Sequence, residues 1–157
     1  DRQAVQQAAQ RAIFHVQHEL ERLVQDEGEV AFALCDRGTV DGLAYWPAAE
    51  EEFFRELGTT RATELSRYHA VIHLRTPDAS HGYNHQNPLR TEDPALAHDI
   101  DERILRAWDG HPNRHIIDST DDFMMKASTT MQLVQSYLPA CCQRRCFDIS
   151  SASAAQQ

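Results

Sequence analysis

The segment "AFALCDRGTVDGLAYWP", residues 31–47, places an Asp-Arg pair at the end of a short apolar run. A short continuous apolar run that follows a break in helical periodicity is typical of a buried strand in a parallel sheet. Asp36 and Arg37 then lie at the carboxyl end of this predicted strand (residues 30–35), where open α/β sheets bind their ligands. The segment therefore predicts the class of fold and the edge of the sheet that carries the site.

Helical and strand patterns alternate along the rest of the chain. Apolar residues at spacings of three and four predict helices over 3–25, 91–108 and 121–138. Two further apolar runs, at 69–74 and 114–118, predict strands. Because strands that alternate with helices form parallel sheets covered on both faces, we expect an α/β fold with three layers, α/β/α.

Two segments do not belong to this alternation. The stretch 75–90 contains Pro, Gly and Asn, and loops of this length are often functional, so we expect it to act as a mobile lid. After residue 138 the periodicity is lost. We therefore predict one domain over 1–138 and a disordered tail over 139–157.

Composition and charge exclude several classes of protein. The 157 residues are 41% hydrophobic and 25% charged, which is typical of one globular domain. The net charge of −9 opposes non-specific binding to nucleic acid or to an anionic membrane, and no stretch approaches the roughly 20 apolar residues of a membrane-spanning helix. The four cysteines lack the distributed spacing of a secreted disulfide framework. We therefore predict a cytoplasmic protein with reduced thiols that binds neither nucleic acid nor membrane.

The Asp-Arg pair has two interpretations. An acid that orients a nucleophile or a magnesium ion, beside a permanently charged guanidinium, is a workable pair for phosphoryl transfer. Alternatively, Asp36 caps the following helix and Arg37 pairs with a surface acid. The spacing of the two residues leaves both interpretations open.

Four segments in chain order carry a resemblance to a known family: "DRGTVDGLAYW", "RYHAVIHL", "YNHQNPLRTEDPALAHDIDERILRAWDGHP" and "RHIIDSTDDFMMK". Together they resemble the ATP-binding AAA-type domain related to the ribosylnicotinamide kinase domain of NadR, over residues 10–138. The resemblance implies a P-loop NTPase with the layout of small nucleoside kinases. It also implies ATP and Mg²⁺ as cofactors, with a nucleotide and a small hydroxyl acceptor, such as a nucleoside, as ligands.

The resemblance also implies roles for individual residues. Asp36 matches the acid that binds Mg²⁺, directly or through a water, or that acts as a base. Arg37 matches its partner toward the acceptor or the phosphate, and Arg90 matches a catalytic arginine of the lid. The positions that match the substrate side of the family's motifs are Asp41, Tyr45 and Glu92.

Several of these residues also have structural interpretations. Tyr45 fits a position in the core equally well, and Arg90 fits a solvent-exposed position at the entry of a helix. Arg103 and Arg106 could reinforce Arg90 from the same helix. Helical spacing instead favours ion pairs of these two arginines with Asp99 and Glu102.

The chain departs from the family in one motif. The family begins with a strand and a glycine-rich loop, but no G-x-x-x-x-G-K-[ST] occurs here, and the single lysine is Lys126 in the last predicted helix. We therefore expect the first strands and the P-loop to be missing, and the chain as given to be inactive. The absence of an initiator Met and a helical period that starts near Val5 favour a truncated domain over a degenerate one. Without those strands, a sheet edge and the inner faces of the helices 3–25 and 121–138 would be uncovered, which predicts self-association, through the sheet edge above all, or partial disorder.

Two functions from different classes remain open. The chain is part of an ATP-dependent kinase or ATPase, or it is a non-catalytic module that senses nucleotide or binds a protein on the same scaffold. A third hypothesis is a metal-binding protein whose site is built from some of the nine histidines and four cysteines. No motif with the spacing of a zinc site supports that hypothesis.

Overall fold

The computed structural model describes residues 1–76, 94–119 and 123–143. Within these ranges, helices alternate with short parallel strands. The elements are α1 (Arg2–Glu27), a 3-10 helix (Thr39–Tyr45), α2 (Glu50–Leu57), α3 (Arg61–Leu65), β1 (Val71–Leu74), α4 (Pro94–Ala107), β2 (Arg114–Ile117), α5 (Phe123–Tyr137) and α6 (Ala140–Gln143). The predictions that lie outside the described residues are most of the lid 75–90, Arg90, Glu92 and the tail beyond residue 143.

Most of the predicted elements form where they were expected. Helices α1, α4 and α5 confirm the three helices predicted from apolar periodicity, and β1 and β2 confirm the strands predicted over 69–74 and 114–118. Helix α1 is delimited by local signals at both ends. The side chain of Asp1 accepts a hydrogen bond from the backbone N–H of Gln3, and Gly28 ends the helix in the left-handed conformation.

The predicted strand at residues 30–35 is wrong. These residues form no strand, and Val30 and Leu34 are 56% and 71% exposed. A strand that is apolar on both faces is stable only between paired neighbours and beneath a covering layer. Within the described part of the chain, β1 pairs with β2 alone, so this run has no strand beside it.

Strands β1 and β2 lie parallel, with α4 in the connection between them. Their register places His73 beside Ile116 and Ile72 beside His115. His73 contacts α4, and His115 contacts Tyr137 of α5. Because paired residues share a face, α4 and α5 contact opposite faces of the sheet. A sheet of two strands among the described residues does not establish the predicted three-layer fold.

The hydrophobic core lies where the 3-10 helix meets α1, α2 and α4. Val40, Trp46 and Phe53 are almost fully buried, and the Trp46 and Phe53 rings pack edge to face at 5.3 Å. Helix α1 adds Phe14, whose ring lies 6.2 Å from that of Phe53. The core therefore fixes the 3-10 helix, which begins one residue after the Asp-Arg pair. No helix in the described ranges is long and apolar enough to cross a membrane.

Candidate functional site

The charged residues of the motif lie on an exposed loop (residues 36–38, the Asp-Arg-Gly loop) before the 3-10 helix. Asp36 is exposed, and none of the described residues hydrogen-bonds to its carboxylate or forms an ion pair with it. The side chain of Arg37 is 59% exposed, and its Nη1 lies 3.8 Å from Oδ2 of Asp41. Both charged groups of the loop are therefore accessible to a ligand.

The backbone of Arg37 is strained. Its φ of 78° lies in the left-handed region, which costs a non-glycine residue about 1 kcal/mol or more. The carbonyl oxygen of Arg37 accepts a hydrogen bond of 3.0 Å from Nε2 of Gln17 on α1. This contact helps to hold the strained residue in place. Strained backbone of this kind is common at functional sites.

Gly38 is required by a close contact with Trp108. A Cβ atom at this position would lie only 2.4 Å from Cζ2 of the Trp108 ring. The indole Nε1 of Trp108 donates a hydrogen bond of 2.5 Å to Oδ1 of Asp41, and the backbone N–H of Gly38 donates one of 3.4 Å to Oδ2 of the same carboxylate. Gly38, Asp41 and Trp108 therefore form one unit, the glycine–tryptophan clamp, which fixes the loop against the end of α4.

Asp41 is buried, with 9% of its surface exposed. Burial raises the pKa of its carboxyl group, whereas the hydrogen bond from Trp108 and the charge of Arg37 act in the opposite direction. Because one oxygen already accepts from the indole, the side chain serves the structure of the loop. The resemblance implied a substrate-binding role for Asp41, and the residue does form part of the cleft wall.

A buried polar network holds the first residue of the 3-10 helix. The backbone N–H of Thr39 donates to the hydroxyl of Tyr68 at 2.8 Å, and its Oγ1 donates to Glu64 at 2.8 Å. Glu64 is 2% exposed, and the Tyr68 hydroxyl in turn donates to Glu21 of α1 at 2.7 Å. Burial raises the pKa of Tyr68 above its usual value. Sequence reasoning missed this network, because its members belong to no motif and are separated along the chain.

A cleft of about 220 Å³ opens between α1 and the Asp-Arg-Gly loop. It is smaller than the roughly 300–1,000 Å³ of a site for a drug-sized ligand, so it matches a ring-sized group. Tyr45 lines the cleft and also packs against the core. Its position is therefore compatible with both interpretations from the sequence, a residue on the substrate side and a residue of the core. The α1 residues that line the cleft are Gln10, Ile13, Phe14 and Gln17.

A second group of charges lies at the carboxyl end of β1, around Arg75. Oδ1 of the buried Asp101 lies 3.0 Å from Nε2 of His73, and Oδ2 lies 3.1 Å from Nε of Arg75. The Arg75–Asp101 contact is an ion pair without the alignment of a hydrogen bond. Arg75 also pairs with Glu102, which raises the pKa of the guanidinium and lowers that of the carboxyl group. Arg75 is therefore neutralised by neighbours on α4.

Helix α4 links this group to the loop. Asp101 and Trp108 are seven residues apart, which places them on the same side of the helix two turns apart. The charge of His73 also acts to lower the pKa of Asp41.

On the exposed side of α4, Nη1 of Arg103 lies 3.9 Å from Oδ2 of Asp99, which confirms the ion pair predicted between these two residues.

Asp36 is the side chain of the loop that could bind Mg²⁺. In the described part of the chain, no group of three or more His, Cys, Asp or Glu side chains could hold a metal ion. A single exposed carboxylate without a protein partner nonetheless fits Mg²⁺, which is commonly bound by one or two carboxylates together with waters and the phosphates of a substrate. A magnesium site at Asp36 would therefore need the nucleotide as a ligand.

Comparison with known proteins identifies one family. The family described as "AAA domain" matches residues 1–125, which run from α1 to the first turn of α5. No curated protein and no solved structure matches the chain. The matched family is of the P-loop NTPase type and binds nucleotide, generally with Mg²⁺.

Proposed function

The chain belongs to the AAA-domain family, and from this premise we propose that it is the acceptor-facing part of an ATP-binding, P-loop kinase-like domain. In the intact protein, this domain transfers the γ-phosphoryl group or hydrolyses ATP. The kinship with the NadR kinase domain and the three-layer fold are part of the same proposal. Because ATP and Mg²⁺ are abundant in the cytoplasm, we place the protein there.

One observation carries the proposal: a firmly held loop presents two accessible charges. The glycine–tryptophan clamp and the contacts of Thr39 hold the backbone around the Asp-Arg-Gly loop. Asp36 and Arg37 nevertheless remain exposed, and Arg37 keeps a strained backbone. Charged groups that are held in place before the ligand arrives are suited to stabilising charge during phosphoryl transfer.

Each side chain has a role under this proposal. Asp36 would hold Mg²⁺, directly or through a water, or orient the acceptor hydroxyl. Arg37 would neutralise a phosphate or contact the acceptor. When bound, Mg²⁺ neutralises charge on the phosphate oxygens. Arg90 and Glu92 keep the roles that the resemblance implies, in the lid and on the substrate side.

The cleft beside the loop is the proposed acceptor site. Its volume of about 220 Å³ matches a ring that bears hydroxyl groups, such as part of a nucleoside. Tyr45 offers an aromatic face, and the amides of Gln10 and Gln17 offer polar groups along α1. Gln17 already donates to the carbonyl of Arg37, so the orientation of its amide is set.

The triphosphate requires a cradle that these 157 residues do not contain. The sequence has no G-x-x-x-x-G-K-[ST], and Nζ of Lys126, its single lysine, donates to the carbonyl oxygen of Arg75 at 2.5 Å. We therefore propose that the chain by itself does not turn over ATP. A binding module without catalysis is the second candidate, and the apolar side chains exposed along α1 favour it.

The test compares ATP binding and turnover by the full-length gene product and by the 157-residue chain. In the full-length protein, Asp36→Asn should lower kcat by about 100-fold or more and change the Kd of Mg-ATP only a few-fold, because the carboxylate acts on transferring charge. Asp99→Asn, an exposed acid on α4, is the matched control and should leave both values within twofold.

Three results would count against the catalytic proposal. If Asp36→Asn retains turnover within twofold, the loop is not part of the catalytic machinery. If the full-length protein binds Mg-ATP without turnover, the binding module is correct. If it does not bind Mg-ATP at all, the nucleotide assignment fails.

A further inference from the structure

A histidine and an arginine share a hydrogen bond where α1 meets the segment that follows α3. Nη1 of Arg67 lies 2.9 Å from Nε2 of His18. A guanidinium group has only donors, so Nε2 must accept this bond and carries no proton. The neutral ring of His18 therefore has its proton on Nδ1. A second proton, on Nε2, would face the guanidinium directly.

Arg67 keeps its own charge in this contact. Burial alone would lower the pKa of its guanidinium, but the hydrogen bond to Glu21 and the charges of Glu21 and Glu64 raise it overall. Nη2 donates to Glu21 at 2.7 Å, and Nε lies 3.6 Å from Oε2 of Glu64. The side chain of Arg67 is only 17% exposed, so solvent screens its charge weakly. Protonation of His18 and its hydrogen bond with Arg67 thus exclude each other.

A charged ring of His18 has a different partner within reach. Nδ1 lies 3.9 Å from Oε1 of Glu19, an exposed carboxylate that also lies 3.6 Å from Nη1 of Arg22. This carboxylate attracts an imidazolium, whereas Arg67 repels it. The side chain of His18 is 33% exposed, so the ring has space to turn toward solvent. His18 therefore lies between a group that favours its neutral form and a group that favours its charged form.

Other ionisable groups also surround this contact. Burial raises the pKa of the Tyr68 hydroxyl and of the Cys35 thiol, so both keep their proton over the range in which histidines titrate. The carboxylates can titrate below that range and must be separated from His18 by experiment. The described ionisable groups that face His18 or Arg67, from α1, from α3 with its following segment and from residues 30–35, are Glu19, Glu21, Arg22, Glu64, Tyr68 and Cys35.

The contact is connected to the Asp-Arg-Gly loop through hydrogen bonds. Arg67 holds the carboxylates of Glu21 and Glu64. Glu21 accepts from the hydroxyl of Tyr68, and this hydroxyl accepts from the backbone N–H of Thr39. Glu64 accepts from the side chain of Thr39, the residue directly after the loop. A change at Arg67 therefore reaches the backbone beside the loop.

A second connection runs along α1. The amide of Gln17, the neighbour of His18, donates to Glu21 at 2.8 Å and to the carbonyl oxygen of Arg37 at 3.0 Å. The ring of His18 also stacks on that of Phe14, with the centroids 5.9 Å apart. A movement of the His18 ring therefore affects groups that support the loop from the side of α1.

We propose that His18 is a pH-sensitive switch that sets how firmly the Asp-Arg-Gly loop is held. When the ring is neutral, it accepts from Arg67, and the network around Thr39 is closed. When the ring gains a proton, it leaves Arg67 and turns toward Glu19, and the network loosens. Because the loosened state binds the proton more tightly, falling pH favours that state, over the range of about pH 5–8 in which histidines change charge. The effect on a bound ligand rests on the proposed function, whereas the switch itself does not.

The first test locates the proton by NMR of the full-length protein labelled with ¹⁵N at histidine, without nucleotide. At pH 8 the ring of His18 should carry its proton on Nδ1, and at pH 5 it should be protonated at both nitrogens. His18→Gln identifies the signals by removing them. His15 is the internal control, since it is exposed on the same helix and also contacts Phe14, and it should show no such preference for Nδ1.

The second test measures the closure of the network by hydrogen exchange at the backbone N–H of Thr39, which donates to Tyr68. Its protection factor, corrected for the intrinsic pH dependence of exchange, should fall by about tenfold from pH 8 to pH 5, because one proton favours the loosened state. The backbone N–H of Trp46, bonded to Leu43 at the end of the 3-10 helix, is the control and should keep its protection within twofold.

Two variants assign this pH dependence to one residue. In His18→Gln, the amide oxygen can still accept from Arg67 but the side chain cannot gain a proton, so the protection of Thr39 should stay within twofold from pH 8 to pH 5. His15→Gln is the matched control and should keep the tenfold fall. Both variants retain all of the carboxylates, so a fall that originates in Glu21 or Glu64 would persist in both.

Any of the following results would overturn the proposal. The neutral ring of His18 carries its proton on Nε2, which is incompatible with the bond from Arg67. The protection of Thr39 is the same at pH 8 and at pH 5. The protection of Thr39 falls equally in His18→Gln, which assigns the pH dependence to the carboxylates. Trp46 loses as much protection as Thr39, which identifies general unfolding of the 3-10 helix. Because none of these measurements uses nucleotide, failure of the switch and failure of the proposed function are distinguishable.

Discussion

Residues 30–35 and residues 38–45 are separated by only two residues in the chain but are held in very different ways. In the first segment Leu34 is 71% exposed, and no strand among the described residues pairs with the backbone. In the second, Val40 and Ala44 are buried, and Trp108 packs on the backbone at Gly38. The comparison shows that a short apolar run does not form a strand unless another strand pairs with it. The 3-10 helix, in contrast, is held by packing against α1, α3 and α4.

The largest expected effect on stability is in residues 38–45, the segment that packs against Trp108. Trp108→Ala should lower the free energy of unfolding by about 3–5 kcal/mol, because it leaves a cavity beside Gly38 and removes the indole donor to Asp41. Urea denaturation followed by circular dichroism measures this change. Leu34→Ala in the neighbouring segment should change it by less than about 0.5 kcal/mol. If the two variants lose similar stability, the contrast between the segments is wrong.

A smaller effect is expected when the close approach to Trp108 is blocked. Gly38→Ala should cost about 1–3 kcal/mol, because the added methyl group would lie 2.4 Å from the Trp108 ring and force it to move. Gly42→Ala is the matched control, since its Cβ would lie 3.1 Å from Phe53 and needs only a slight adjustment. Equal losses of unfolding free energy in the two variants would show that the clamp tolerates a side chain.

The sequence predicted the positions of helices and strands better than it predicted which of them pack or pair with one another. Helices α1 and α4 and strands β1 and β2 follow from periodicities that a few consecutive residues set by themselves. The strand predicted at 30–35 failed because the same kind of run needs a paired strand, and pairing depends on distant parts of the chain.

The site was predictable to a similar degree. The sequence predicted Asp36 and Arg37 at the carboxyl end of a strand, but residues 30–35 form no strand, and both residues lie exposed on a loop. Their roles toward a ligand stay predictions. The hydrogen bond from Trp108 to Asp41 joins residues 67 positions apart, and Glu64 lies in no motif. Contacts of that kind arise from tertiary packing, which a single sequence does not display.

A still smaller effect concerns pH and the buried carboxylate of the clamp. The pKa of Asp41 is raised above 3.8 mainly by burial, so the folded state binds a proton there more tightly than the unfolded state. The stability that this group contributes is therefore greatest below pH 3.8, and it falls as pH rises through the raised pKa. Asp41→Asn should remove this part of the pH dependence, which denaturation at several pH values measures. An unchanged profile would mean that Asp41 does not titrate differently in the folded state.

The smallest effect is expected at Arg37, the last residue before the clamp. Arg37→Gly should raise the free energy of unfolding by about 0.5 kcal/mol, because relief of the strain at φ 78° exceeds the entropy that glycine adds to the unfolded chain. Arg37→Ala is the control, since it removes the same exposed charge and keeps the strained Cβ. A gain in both variants would assign the strain to the charge of Arg37 and not to its backbone.

The same two variants connect the strain to the proposed activity. In the full-length protein both should lower turnover, because each removes the guanidinium that faces the cleft. Arg37→Gly would then be more stable and less active than the original, as expected where a strained residue is kept for its chemistry. If Arg37→Gly is more stable and equally active, the left-handed backbone serves only the turn that joins segment 30–35 to the clamp.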